Sequence, residues 1–296
     1  MNLPRSARLA MLMLAQSLTS GAWLILLLLV LNSSAEAEGM DNSPAELSLG
    51  SVAMDIPAVM HQRLKPLADY LAQELGRPVR LHVAPNLSSV VKDVAAGKVD
   101  IAYLTPIAYV NARSTGNVHI LAKTVTQGSK ALRLMLVTRA DSSIRSPRDL
   151  VGKNFAFGDE AAILQRAVVV NAGVALEQLR SYRFLGHYDN IARGVANGDF
   201  DAGILKDTSA LQWETKGLRT FYTSPELPAY NLVASPHVDA PLRRAIQAAL
   251  LRLNPQDPEQ RAVIKALDAS YDGFAQASDA DYDVVRRLTL PFRKEK

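Results

Sequence analysis

Three observations predict an α/β fold of two matched lobes, with parallel-dominated sheets and a hinge of two crossing strands. The first is a repeat. Val94-Ala95-Ala96-Gly97-Lys98-Val99-Asp100-Ile101-Ala102 returns as Val195-Ala196-Asn197-Gly198-Asp199-Phe200-Asp201-Ala202-Gly203, at a constant offset of 101 residues. Each copy ends a helical pattern on Gly, which tolerates a left-handed cap, and enters an apolar strand through Asp. The second is the regular alternation of strand-like and helix-like segments, the pattern of parallel strands joined by helices. The third is bulk: 296 residues, 48% hydrophobic and 21% charged, supply two packed cores.

In chain order, Arg5 and Arg8 precede an apolar stretch from Leu9, with its densest part from Ala22 to Leu31, and then Ser33-Ser34-Ala35-Glu36-Ala37. A positive start, an apolar core and an Ala-x-Ala site make residues 1–37 a signal peptide or an N-terminal membrane anchor, with the body periplasmic. Residues 38–46 read as a linker. A strand over 47–52 leads to a helix whose Val59, Leu64, Leu67, Leu71 and Leu75 fall on one face and stop at Gly76. A strand over 79–83 precedes a helix capped at Ser88 or Ser89 and ended by Gly97, and a strand follows over 100–104. A helix over 107–113, a strand over 119–125 and an apolar run over 132–138 complete the first half. Ser146-Pro147 opens a short helix with Pro at its first position. A strand over 154–157, a helix near 161–172 and a strand over 182–185 precede the second copy of the repeat. Strands over 218–223 and 231–234 follow, and then helices at 240–253, 259–269 and 279–288. A helical tail suits a chain that returns to finish its first lobe. The lobes are therefore placed at 46–138 plus 230–296 and at 139–229. The crossings fall near 135–141 and 226–232, and two linkers of this kind form a hinge.

In open α/β sheets ligands bind beyond the carboxyl ends of strands, where helix starts present free N–H groups. The offset selects equivalent positions there: Asn86 with His187, and Ser88 with Asp189. The loop Tyr103 to Pro106, which includes Thr105, is matched by Leu205 to Asp207, and Asp159 lies in the turn after the 154–157 strand. Asp189 suits a helix cap as well as a ligand contact, and Tyr103 suits a core as well as a cleft. Asp100 and Asp201 suit turns. His187, between Gly186 and Tyr188 at a strand end, suits a cleft better than a core.

The composition narrows the chemistry. The chain has no cysteine, and its other histidines (His61, His82, His119, His237) occur singly, so neither thiolate chemistry nor a metal site is expected. No cofactor loop and no nucleophile motif occurs. An enzyme on this architecture would use His187 with Asp189 or Asp207 as base and orienting partner; binding without catalysis is the reading favoured here. The net charge of +4 is too small and too dispersed for nucleic acid, and leans toward a small anionic ligand.

Four segments, Gly97-Lys98-Val99-Asp100-Ile101-Ala102-Tyr103, Phe155-Ala156-Phe157-Gly158-Asp159, Gly186-His187-Tyr188-Asp189 and Gly198-Asp199-Phe200-Asp201-Ala202, resemble the solute-binding proteins of ABC transporters in the phosphonate- and phosphite-binding branch. The resemblance covers roughly residues 47–288. It implies the two-lobed periplasmic-binding-protein fold, a small-molecule ligand, and an ABC permease or a membrane sensor kinase as partner. It further implies ligand contacts from Tyr103, His187 and Asp207. One segment departs: where the family continues after Gly-Asp into Pro-x-Ser-Thr-Ser-Gly, this chain has Glu160-Ala161-Ala162-Ile163-Leu164-Gln165. A hydrogen bond to a charged group contributes about 1.5–3 kcal/mol. Two or three missing hydroxyls therefore imply a grip on the oxyanion weaker by several powers of ten.

Overall fold

The computed structural model describes residues 45–51 and 57–292. Residues 1–37, with the signal or anchor reading, lie outside them. Among the described residues, no helix is long and apolar enough to cross a membrane.

Two mixed sheets form the frame. The first is built from β1 (Leu47–Ser51), β2 (Val79–Val83), β3 (Ile101–Leu104), β4 (His119–Thr126), β12 (Asn231–Ala234) and β13 (Tyr271–Ala275), in the order β13-β4-β12-β3-β1-β2. The second is built from β6 (Leu134–Arg139), β7 (Asn154–Phe157), β8 (Ser181–Phe184), β9 (Ala202–Lys206) and β10 (Leu218–Thr223), in the order β10-β6-β9-β7-β8. Parallel pairing is confined to β2-β1-β3 and β8-β7-β9. β12 runs antiparallel to β3, and β6 antiparallel to β9. Four of six strands in the first sheet and four of five in the second run in one direction, as the sequence predicts; β12 and β6, which enter from the other half, and β13 run against them, so the sheets are mixed.

The chain leaves the first sheet after Thr126 and enters the second at Leu134, earlier than the apolar run suggests: all of Leu134–Arg139 belongs to the second sheet. Arg133 interrupts the run there. It returns between Thr223 and Asn231. The two passages meet as a ribbon, with β5 (Ala131–Leu132) antiparallel to β11 (Leu227–Pro228) and Leu132 opposite Leu227.

Helices α1 (Pro57–Leu75), α2 (Leu87–Ala95), α3 (Pro106–Gly116), α7 (Ala240–Arg252) and α8 (Pro258–Leu267) accompany the first sheet. Helices α4 (Ile163–Asn171), α5 (Tyr188–Ala196) and α6 (Asp207–Glu214) accompany the second. Leu64, Leu67 and Leu71 of α1 are fully buried, as their spacing predicts. Pro147–Leu150 is a single 3-10 turn with a capping box from Ser146 and Asp149. Two features differ from the sequence reading. Between the second and third tail helices the chain forms strand β13, where Gly273 and alternating burial break the helical period. The last helix, α9 (Asp283–Thr289), packs against α4 as well as α3, so the tail also covers the second half.

The repeat is structural to the level of single hydrogen bonds. Gly97 and Gly198 both adopt left-handed backbone, φ +76 and +85, which lets the Lys98 N–H reach back to the Asp93 carbonyl and the Asp199 N–H to the Gly194 carbonyl. The following aspartates then tie their sheets together. Asp100 Oδ2 accepts from the Ser48 backbone N–H and hydroxyl, both at 2.7 Å, and Asp201 Oδ2 accepts from the Asn154 N–H at 2.8 Å. Each carboxylate therefore clamps the start of the neighbouring strand. Burial works against the ionised form of Asp100, but its bonds from Ser48 and His237 prevail and hold the carboxyl below the usual range.

Two outcomes follow from this packing. Asp100→Ala should lose about 1.5–3 kcal/mol in urea unfolding, the worth of hydrogen bonds to a charged group. Because its folded pKa is depressed, that contribution is present above about pH 4 and disappears as the pH falls through the folded value. Gly203→Ala should cost about 1–3 kcal/mol by overpacking. A Cβ at Gly203 would lie 2.5 Å from Ile191 Cγ2 and 3.1 Å from Val195 Cγ2, so the melting temperature should drop by several degrees.

Candidate functional site

A cavity of about 670 Å³ lies where strand ends and helix starts of the two sheets face each other. The volume suits a small organic or inorganic solute. From the first half it is lined by Tyr103 and Thr105 at the end of β3, by Arg63, and by the segment from Lys265 to Asp268 with Tyr271. From the second half come Asp159, Ala162, Gln165, Gly186 to Asn190, Arg193 and Lys206. Tyr230, at the return crossing, closes one side.

Lys206 dominates the electrostatics. It ends β9 and is 5% exposed, the one charged residue buried to that degree among the described residues. Its ammonium donates to Asp268 Oδ2 at 3.3 Å and lies 4.9 Å from the Tyr271 ring centre and 5.4 Å from that of Tyr230. Burial alone would lower its pKa; Tyr271 and Asp268 beside it outweigh that, and the group is held above the ordinary lysine value. Burial likewise opposes ionisation of Asp268. Lys206 and the two bonds from Ser270, at 2.9 and 2.6 Å, hold its carboxyl below the usual range. The site therefore keeps a fixed cation and a fixed anion side by side, one from each half.

Of the residues selected from the sequence, Tyr103, Thr105, Asp159, His187 and Asp189 line the cavity. Tyr103 is buried, its hydroxyl is bonded to that of Tyr271 at 2.6 Å, and it forms part of the cavity wall. Burial, then Tyr271, pushes its phenol well above the usual tyrosine range. Thr105 Oγ1 caps α3 by accepting from the Ala108 N–H at 3.3 Å, and Asp159 Oδ1 accepts from the Ala161 N–H at 2.7 Å. His187 occupies the N-cap position of α5 without making a side-chain cap bond. Its Nδ1 is buried and has no protein partner. Asp189 is not the cap: the helix starts at Tyr188 with His187 as N-cap, so Asp189 falls in the first turn of α5, where a carboxylate faces the positive end of the helix dipole.

Asn86 and Asp207 do not line the cavity. Asn86 rather than Ser88 or Ser89 caps α2: its Oδ1 accepts from the Ser89 N–H and hydroxyl at 2.9 and 3.0 Å. Asp207 is turned to the first crossing, where its Oδ2 accepts from the Arg133 N–H at 2.8 Å while its own N–H donates to the Arg133 carbonyl at 2.9 Å.

The divergent loop is accounted for by its own backbone. Ala162, Ile163 and Gln165 donate their N–H groups to the carbonyls of Asp159, Ala161 and Ala162, and α4 has no side-chain cap. Leu164 is turned into the core and Ala162 presents only a methyl group to the cavity. This helix start offers an anion neither hydroxyls nor the first of its N–H groups. Lys206 and Asp268 are the site residues that sequence reasoning missed. Lys206 lies within the loop singled out by the repeat, but nothing in its local sequence shows that it is buried, and Asp268 falls within the predicted helix 259–269, just past the observed end at Leu267. Among the described residues, no group of three His or acidic side chains is arranged to hold a metal ion.

Comparison with known proteins places this geometry. The family profile described as "ABC transporter, phosphonate, periplasmic substrate-binding protein" matches residues 49–282. The phosphonates-binding periplasmic protein of Escherichia coli K12 is 23% identical over 274 residues, covering 87% of this chain and 79% of that protein. The phosphate-import protein PhnD of Mycolicibacterium smegmatis is 28% identical over 190 residues, covering 59% of this chain and 58% of that protein. The structure of PhnD1 from Prochlorococcus marinus, in complex with methylphosphonate, superposes with a TM-score of 0.75 at 19% identity, covering 84% of this chain and 99% of that one. At that identity the likeness is one of fold. The extent of the profile match decides the family: this chain belongs to the periplasmic phosphonate substrate-binding proteins of ABC transporters.

Proposed function

We propose that the protein is a non-catalytic binding component that closes on a small oxyanion of the phosphonate class in this cavity and delivers it to an ABC permease. The observation that carries this reading is the buried ammonium of Lys206, a residue that lines the cavity together with His187, whose buried Nδ1 has no protein partner. A charge removed from water needs compensation, and one bond at 3.3 Å leaves two of the three ammonium hydrogens to meet an incoming anion. Lys206 thus does from a strand end what hydroxyls at the start of α4 cannot.

The ligand class rests on the family and on the named ligands of the E. coli and Prochlorococcus relatives, and the permease on the family's place in an ABC transporter, which favours it over a sensor kinase. Tyr103, Thr105, Asp159, His187, Asp189 and Lys206 are assigned to the ligand. Asn86 and Asp207 are assigned to the scaffold that carries them. The β5–β11 ribbon is the hinge about which the lobes close.

A thermal-shift screen of the exported body against phosphate, phosphite, alkylphosphonates and neutral solutes tests the ligand class. A ligand at about 100 times its dissociation constant adds ~2.7 kcal/mol, so a true ligand should raise the melting temperature by several degrees. A shift with neutral solutes alone would overturn the assignment. Lys206→Met should weaken oxyanion binding in calorimetry about a hundredfold, the worth of a charge-assisted bond near 3 kcal/mol. His187→Ala should lower affinity about tenfold while leaving the melting temperature of the free protein nearly unchanged. A large stability loss would return His187 to the fold.

A further inference from the structure

Lys206 and Asp268 present a donor and an acceptor side by side. Lys206 Nζ and Asp268 Oδ2 are 3.3 Å apart, both residues line the cavity, and each has capacity left. The ammonium spends one of three hydrogens. On Asp268, Oδ1 takes both bonds from Ser270, which leaves Oδ2 with Lys206 alone. The pair also joins the two halves, since Lys206 ends β9 of the second sheet and Asp268 follows α8 beside the first.

An anion drawn to Lys206 must therefore lie against the Asp268 carboxylate. A fully deprotonated oxyanion would place lone pairs against lone pairs there. An oxyanion that keeps one acidic O–H satisfies both groups at once, its anionic oxygen accepting from Lys206 and its hydroxyl donating to Asp268 Oδ2. Burial sharpens the discrimination, because an unmet donor or a repelled acceptor inside a protein costs far more than in water. Selectivity built on an unpaired buried polar group exceeds what shape alone achieves between isosteres.

We infer that the Lys206–Asp268 pair selects oxyanions that carry a hydrogen-bond donor of their own, singly protonated phosphonates or hydrogen phosphates, and rejects sulfonates of the same charge and shape. This deepens the function proposed above and rests on it. The two side chains act as one recognition unit: the lysine sets the charge of the ligand, and the aspartate sets its protonation.

Isothermal titration of the intact exported body with methylphosphonate and with methanesulfonate tests this, in mildly acidic buffer where both are monoanions and only the phosphonate retains an O–H. The unaltered protein should bind methylphosphonate about ten- to a hundredfold more tightly, the factor of one charge-assisted hydrogen bond. Asp268→Asn, whose amide can donate in place of accepting, should bring the two affinities together or reverse their order. Equal binding of both ligands by the unaltered protein would overturn the inference and leave the functional reading standing; so would an undiminished preference in a folded Asp268→Asn. Binding of neither ligand would overturn both. The comparison on the unaltered protein needs no variant to fold.

Discussion

A lysine ammonium held out of water is the constraint around which the centre of this molecule is arranged. Lys206 can be buried only because Asp268, Tyr230 and Tyr271 surround it, and each comes from a different stretch of chain: the end of α8, the return crossing and β13. Its neighbours are then constrained in turn. Tyr271 is bonded to Tyr103, and Asp268 is oriented by Ser270. One buried charge thus fixes the positions of side chains from both halves and leaves between them a space whose chemistry is set before any ligand enters.

Around that centre the frame is made by a device used twice. A helix is ended by a left-handed glycine, the chain turns, and an aspartate grips the first peptide of the adjacent strand. The geometry is short-range and self-contained, which is why it survives in both halves although the surrounding residues differ. It fixes the start of β3 and β9 against their neighbours, and the far ends of these two strands carry Tyr103 and Lys206 to the cavity.

Much of this is legible in the sequence, because local patterns determine it. The glycine caps, the 3-10 turn at Ser146-Pro147 and strands such as Val79–Val83 and Asn154–Phe157 are read from residue types and spacing. What escaped depends on distant partners. Strand β13 pairs with β4 across more than a hundred residues, and its Gly273 hides it inside a helical tail. The common direction of most strands follows from the alternation of strands and helices, which does not reveal the reversed strands that arrive from the other lobe, β12 and β6. At the site the same rule applies. The offset led to Asn86, a cap with a purely local partner, and to Asp207, when the buried charge was its neighbour Lys206. Burial is a property of the assembled fold, and no window of sequence around a lysine displays it.

Adjacency of Lys206 and Asp207 has a consequence of its own. Lys206 is the last residue of β9 and Asp207 the first of α6, so this strand-to-helix junction sends one group into the cavity and the other to the Arg133 backbone at the first crossing. The wall of the binding space and the anchor of the connecting ribbon are consecutive residues at one junction. A shift of the β9–α6 junction carries with it both the lysine stem and the carboxylate that grips Arg133. The geometry of the chamber and the angle between its walls are therefore not two variables but one.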